Sequence, residues 1–448
     1  MPIKKSFANY VLSTRYGEAA YEVVDRLHDH GHEAYWVGGC VRDMLSEERP
    51  KDIDIATSAL PSEVCALFPK HEKEGESFGS IIVKLKGAQF EVTTYRKDDE
   101  ASDGRHPESV IFGSKEEDAK RRDLTINALY WNPITSELWD PYGGESDLHE
   151  RLIRFIGEPG IRIKHDALRL LRAVRFRAMA DGQYHPETYH ALKEQAPLVE
   201  TLSGVRKLQE LEKMLMTNSP HRALEDLWEI GALRYFLPEL YECKGIPQPK
   251  DYHREGDVWD HTMLCARFFA EDQGIDVRLA TLFHDCGKVE TFSLKERIRF
   301  DHHATVSATR ADEALDRLQM PKKRREKICW LISHHMMMGS FEDMTDERKA
   351  HWYFHPWFSE LLQVFWLDIA GTEPAEFGLY ESIVKDYQRY LDAHPRSPKV
   401  LLSGHEVMDI VGIAPGQRVG EIMHELHNAQ LRGEVKTKQE ARAFVMKV

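Results

Sequence analysis

The periodicity of this chain changes once, near residue 150, and that change constrains its architecture more than any other feature. Up to Asp140, short β-branched runs alternate with turns and helical sequence: AYWV (34–37) entering a glycine pair, IDIAT (53–57), SIIVKL (80–85) and FEVTTYR (90–96). From about Arg151 strand patterns almost vanish, and apolar residues recur at helical spacing. The helical part is broken at 246–257 (IPQPKDYHREGD) and 393–400 (AHPRSPKV), where Pro, Gly and charge cluster. The pattern predicts an α+β chain: a small mixed head (1–149), a helical neck and body (150–245), a His-rich helical domain (246–393) and a short helical tail (394–448). A chain of 448 residues also needs more than one core, because single cores stop growing at about 250–300 residues.

With 42% apolar and 30% charged residues, the composition excludes a fibre and a disordered chain. No run approaches the roughly 20 apolar residues of a membrane helix, and the start, MPIKKSFANYVLSTRYGE, lacks a signal core. The expectation is a cytoplasmic protein without membrane contact. Six scattered cysteines without a CxxC pair indicate neither a disulfide framework nor a thiolate zinc site.

The segment VGGCVRDMLSEERPKDIDIAT carries the first candidate chemistry. Asp52 and Asp54 are two apart in a strand, so period two sets both carboxylates on one face of a sheet. Carboxylates so placed repel each other unless a cation lies between them, which favours Mg²⁺, a hard ion that binds oxygen ligands and substrate phosphates. Glu91 could add a third oxygen. Gly38 and Gly39 let backbone N–H groups approach a triphosphate, with Arg42 one turn on to pair with it. DxD alone is common on strand edges; glycine turn, arginine and paired aspartates within one short unit are far more specific.

The run GGCVRDMLSEERPKDIDIAT, then FEVTTYRKDDEASDGRHPESV, RRDLTINALYW, DPYGGESDLHERLIRFIG and DALRLLRAVRFRA resembles the class II tRNA nucleotidyltransferase and bacterial poly(A) polymerase family over roughly residues 31–180. The resemblance implies a polymerase-β-like nucleotidyltransferase head that adds nucleotides to an RNA 3′ end without a nucleic-acid template. It makes Asp52 and Asp54 the metal-binding aspartates and gives Gly39 and Arg42 the triphosphate. Arg122 would contact the nucleotide, Asp123 and Asn127 the sugar, Asp166 and Arg169 the base edge, with Arg172 and Arg175 completing the contacts. Positions 166, 169, 172 and 175 recur every three residues and would line one groove of a helix. One departure is visible: the family usually has Glu-Asp where this chain has His165-Asp166. TYRKDDEASDGRHPESV resembles the flexible loop that CCA-adding members need to switch to adenine.

Residues 151–177 hold eight Lys or Arg and two acids inside a chain of net charge −14, a local reversal that suits RNA phosphates. A second basic cluster, Arg317 and Lys322 to Lys327, reads as a solvated helix end. The tail resembles the terminal helical extension of longer family members, cradling RNA or bracing the body.

In the middle domain, DVWDHTMLCARFF, LATLFHDCGKVETF, RFDHHATVSA, LISHHMMM and FWLDIAG place His261, His284, Asp285, His303, His335 and Asp368 on successive helical segments. Imidazoles and carboxylates in a bundle core are ligands for a divalent metal. The order resembles the HD superfamily of metal-dependent phosphohydrolases, which implies a divalent ion of unspecified identity and a possible action on 2′,3′-cyclic phosphates or phosphomonoesters. Taken together, the sequence reads as a Mg²⁺-dependent enzyme that builds the CCA end of tRNA from CTP and ATP. The alternatives are an A-adding enzyme or poly(A) polymerase, and an HD-type phosphohydrolase with an RNA-binding head. The residues fix no oligomeric state.

Overall fold

The computed structural model, which describes residues 3–73, 75, 79–97, 111–294, 296–394, 401–431 and 434–447, divides the chain into two units, Met1–Pro238 and Glu239–Val448. In the first unit, strands β1 (Ala34–Val37), β2 (Asp54–Thr57), β3 (His71–Glu72), β4 (Ser80–Leu85), β5 (Ala88–Thr94), β6 (Arg96–Lys97), β7 (Ile111–Phe112), β8 (Tyr130–Asn132) and β9 (Glu137–Trp139) follow in chain order. Seven of them make one mixed sheet in the order β3-β4-β5-β2-β1-β8-β9. Only β2 and β5 run parallel.

Alternation along these strands sorts the two faces of the sheet. Ile55, Phe90 and Val92 join Trp36 and Trp131 in a core covered by Val23, Val24 and Leu27 of the helix Arg15–Asp29. The two indoles meet edge to face, 5.0 Å between ring centroids. Thr14 caps that helix, its hydroxyl accepting the Gly17 N–H. Each fully buried side chain contributes roughly 1.5–3 kcal/mol, so a one-residue slip, which would turn Ile55 outward, is strongly disfavoured. Period two leaves Asp54, Glu91 and Thr93 on the opposite face. The ladder itself begins at Asp54, and Asp52 stands two residues before it.

Beyond the sheet, the helix Leu168–Ala180 buries Leu170, Leu171, Ala173, Val174 and Phe176. It packs on the helices Gly204–Leu215 and Pro220–Glu229. The three-residue spacing put Asp166 on that helix, and the structure corrects this. Asp166 caps the preceding helix Pro159–His165 in an extended conformation, φ −150° and ψ 104°. Its carboxylate accepts the Leu168 N–H at 3.1 Å, a local bond that competes with helical geometry.

Two short ladders interrupt the part of the chain read as helical. β10 (Leu152–Ile153) pairs in parallel with β11 (Gln183–Tyr184), and β12 (Phe292–Leu294) forms a hairpin with β13 (Ile298–Phe300). In the second unit, the helices Val258–Arg267, Ile275–Phe283, His303–Arg317, Lys322–His334 and Phe358–Ala370 pack on one another. His284 and Asp285, expected on one helix, lie just past the end of Ile275–Phe283, where Gly287 donates its N–H to Ser307 Oγ and leads the chain away. The helices Gly404–Val411, Gln417–Leu431 and Lys438–Val445 share an apolar cluster that includes Val407, Ile422, Leu426 and Ala441. In the second basic cluster, Arg324 pairs with Asp276, Arg325 with Asp316 and Lys327 with Glu360, all acids of other helices.

All six cysteines are unpaired; Cys40, Cys243, Cys265 and Cys286 are buried, and Cys65 and Cys329 half-buried. Among the described residues, no helix is long and apolar enough to cross a membrane. Residues 98–110, most of the sequence-identified loop, and 395–400 of the second break lie outside the described residues.

Candidate functional site

A cavity of about 410 Å³ opens on the polar face of the sheet in the first unit. β2 supplies Asp54 and β5 supplies Glu91 and Thr93. Since Ile55 pairs with Val92 in the parallel ladder, Asp54 and Glu91 are lateral neighbours. The far wall is Asp166, Arg169 and Arg172, and Arg96, Arg121, Arg122, Asp123 and Asn127 complete the lining.

Asp54 is under electrostatic stress. Desolvation, then the charges of Asp52 and Glu91, push the Asp54 carboxyl up to about 6. A carboxylate crowded in this way by two others fits a hard divalent cation, whose charge would relieve the repulsion. Behind Asp52 and Asp54, the Tyr16 hydroxyl accepts the Ile53 N–H.

A chain of hydrogen bonds orders the residues opposite the sheet. Arg42 Nη1 donates to Asn127 Oδ1 at 2.9 Å, Asn127 Nδ2 donates to Asp123 Oδ1 at 3.0 Å, and Arg172 Nε donates to Asp123 Oδ2 at 2.6 Å. Burial opposes ionisation of Asp123, but Arg172, Asn127 and the Leu124 N–H outweigh it and hold the carboxyl at about 2. Arg122 is fixed by the Tyr130 hydroxyl, the Asn127 carbonyl and Asp118. Gly38 adopts φ +68°, a left-handed conformation that favours glycine, and a Cβ there would lie 3.3 Å from Arg122 Nη1 and crowd it. Gly39 begins the helix Gly39–Leu45 that carries Arg42.

Arg175 turns elsewhere: it pairs with Glu210 at 2.8 Å and lies over the Phe176 ring, outside the cavity lining. Arg96, Arg121, Asp118 and Arg206 were not singled out from sequence. Asp118 is buried and binds Arg121, Arg122 and the Tyr130 hydroxyl together. RRD in RRDLTIN was a signal for Arg121, whereas Asp118 and Arg206 are defined only by partners brought close in space.

The second unit gathers all six sequence-predicted metal ligands into one cluster, five of them buried and Asp368 half-buried. His261 Nε2 lies 3.2 Å from His284 Nε2 and 3.1 Å from Asp368 Oδ1. His303 Nε2 lies 3.4 Å from both His335 Nε2 and Asp285 Oδ1. Asp285 Oδ2 faces the first pair, 3.4 Å from His284 Nε2. Asp285 thus stands between two groups of imidazoles.

The tautomers follow from the backbone. Nδ1 of His261, His284, His303 and His335 meets the carbonyl of Gly371, Thr281, Phe300 and Ile332, respectively, at 2.6–2.9 Å. A carbonyl only accepts, so Nδ1 carries the proton and the Nε2 lone pairs converge. Burial pushes His335 down to about 4 and also lowers His303, favouring the neutral form that binds metal. Converging lone pairs and carboxylates fit a divalent transition metal. Lys288 Nζ, 2.6 Å from Asp285 Oδ2 and 2.7 Å from Gln248 Oε1, bounds an adjoining cavity of about 590 Å³ walled by Tyr252, Phe300 and Met336.

Three families match successive parts of the chain: the poly A polymerase head domain over residues 34–154, the probable RNA and SrmB-binding site of polymerase A over 183–243, and the HD domain over 258–368. Members of the nucleotidyltransferase and HD families are typically metal-dependent. A CCA-adding enzyme of Geobacillus thermodenitrificans is 43% identical over 275 residues, 61% of this chain and 64% of that protein. The chain therefore spans just under two thirds of that relative's length. The mitochondrial CCA tRNA nucleotidyltransferase 1 of Danio rerio is 32% identical over 399 residues, covering 87% of this chain and 81% of the relative. Among solved structures, the Bacillus stearothermophilus CCA-adding enzyme in complex with CTP superposes with a TM-score of 0.73 at 29% identity, covering 96% of both chains.

Proposed function

The chain belongs to the CCA tRNA nucleotidyltransferase family, and from that premise we propose that it adds nucleotides to the 3′ end of tRNA, completing CCA from CTP and ATP. The observation that carries the proposal is the single cavity in which Asp54 and Glu91 oppose Arg122, Asp123, Asn127, Asp166 and Arg169. We assign residues 1–149 to the catalytic head, 150–245 to the neck and body with the base-facing residues, 246–393 to the HD domain and 394–448 to a tail that contacts RNA or braces the body. The setting is the cytoplasm.

Asp52, Asp54 and Glu91 would hold Mg²⁺, which supplies acidity to the attacking 3′-hydroxyl and neutralises charge on the departing pyrophosphate. The residues do the remaining work by positioning. Gly39 presents its backbone N–H to the triphosphate, and Arg42 and Arg122 pair with it; Gly38, expected to do the same, instead donates its N–H to the Leu129 carbonyl at 3.1 Å and serves the turn. Asp123 and Asn127 hold the sugar. Asp166 and Arg169 read the base: an acceptor-only carboxylate suits the exocyclic amine of cytosine or adenine, and a donor-only guanidinium suits the adjacent ring nitrogen. Uracil and guanine present the reverse pattern and leave like groups facing each other. Arg172 acts through Asp123. Arg175, tied to Glu210, braces the helix below.

The test supplies Mg²⁺, CTP and ATP with tRNA ending at the discriminator base or at CC, and sequences the 3′ ends. CCA on the first and a single A on the second is the expected result. Addition of A alone would move the chain to the A-adding or polyadenylating branch. The six-ligand cluster and its cavity favour a second activity: hydrolysis of a phosphomonoester or 2′,3′-cyclic phosphate by the HD domain, with Lys288 at the phosphate. Release of phosphate or ring opening that persists in Asp54→Ala and stops in Asp285→Ala would establish it.

A further inference from the structure

His165, the residue that departs from the family pattern, ends the helix Pro159–His165 as an exposed side chain. Its neighbour Asp166 is held from another direction. Arg206 Nη2 lies 3.0 Å from Asp166 Oδ1 and 2.8 Å from Oδ2, and the Leu168 N–H donates to Oδ1. We propose that Arg206 is a positioning residue for base selection, fixing the plane of the Asp166 carboxylate so that Oδ2 presents its remaining lone pair to the exocyclic amine of the incoming base. The inference rests on the reading of Asp166 as the base-facing carboxylate.

Three observations support it. An ionised carboxylate offers about four acceptor positions; Oδ1 receives two bonds and Oδ2 one, so Oδ2 keeps capacity for a base. Arg206 is the third residue of the helix Gly204–Leu215, in a first turn where the helix dipole disfavours a cation. The Asp166 contact offsets that cost and ties the Asp166 segment to a helix packed on Leu168–Ala180. Finally, the Arg169 guanidinium is held by backbone carbonyls, Nη1 on that of Arg162 at 3.0 Å and Nη2 on that of Arg121 at 3.3 Å. The two proposed base-reading side chains are therefore held by different partners: Asp166 by Arg206 and the Leu168 N–H, Arg169 by the Arg162 and Arg121 carbonyls.

The test compares kcat/KM for CTP and UTP on tRNA lacking CCA in the wild type, Arg206→Met, Arg206→Lys, Asp166→Asn and the Arg206→Met/Asp166→Asn double variant. Loss of one charge-assisted hydrogen bond predicts a fall of about tenfold in the CTP-over-UTP ratio for Arg206→Met, with KM for the triphosphate nearly unchanged. Because the contact runs through one nitrogen, Arg206→Lys should recover most of the ratio. The double variant should discriminate no worse than Asp166→Asn. A ratio in Arg206→Met within about twofold of wild type, beside a collapsed ratio in Asp166→Asn, overturns the role of Arg206. An unchanged ratio in Asp166→Asn overturns the base-facing reading beneath it. Should Arg206→Met fail to fold, Arg206→Gln is judged by the same criteria.

Discussion

Asp54 is costly to the fold at the pH where it would be useful. Its carboxyl, raised to about 6 by desolvation, Asp52 and Glu91, binds a proton more tightly in the folded than in the unfolded chain. The stability it contributes is complete below an unfolded pKa near 4 and is lost as pH rises through about 6. Asp54→Asn should therefore raise the metal-free melting temperature at roughly pH 8, leave it unchanged near pH 4, and abolish nucleotide addition; calorimetry and a primer-extension gel read both. Asp123 has the opposite sign. Held at about 2 chiefly by Arg172 against burial, it contributes about 2–3 kcal/mol that is complete above roughly pH 4 and lost as pH falls through about 2. The stability gap between wild type and Asp123→Asn in urea titrations should close over that window. Alternation made Asp54 and Glu91 legible in sequence, because a strand fixes which side chains share a face. Asp118 and Arg206 carry no local signature: the first is one acid among three in a helix start, and the second reaches a partner 40 residues away.

At the scale of elements, sequence periodicity located four of the seven sheet strands (β1, β2, β4 and β5) but missed the short β3, β8 and β9, and it misplaced boundaries where a side chain bonds the backbone. Asp166 left its helix for that reason, and the β12–β13 hairpin escaped because its strands are three residues each, too short for a period to register. Close helix packing is equally silent in sequence. Gly371 follows the helix Phe358–Ala370 with an ordinary φ of −82°. A Cβ there would fall 2.2 Å from Cys265 Sγ and 2.9 Å from its backbone nitrogen. Gly371→Ala should cost about 1–3 kcal/mol by overpacking. It should also weaken metal retention, since the Gly371 carbonyl orients His261. Thermal melts and metal analysis after dialysis would show both; a variant of wild-type stability would mean that the two helices can part without cost.

For the whole molecule, the division into two units, each with its own candidate metal cluster, predicts separable losses. Asp285→Ala should lower bound metal by elemental analysis while CCA addition proceeds at the wild-type rate. Net charge works against RNA association at −14, yet residues 151–177 reverse the sign locally. Affinity for tRNA should fall steeply with salt, and Lys164→Ala should reduce the slope of log Kd against log salt by about one unit if Lys164 meets a phosphate. Charge reversal was legible from residue counts, whereas the pairing of Arg324, Arg325 and Lys327 with Asp276, Asp316 and Glu360 required the fold. The cysteine distribution has a practical corollary. Four thiols are buried, and the two half-buried ones fall in different units, Cys65 in the first and Cys329 in the second. Maleimide dyes directed to that pair would give the native chain a donor and an acceptor, so that energy transfer in single molecules could follow the distance between the units as tRNA is engaged, extended and released.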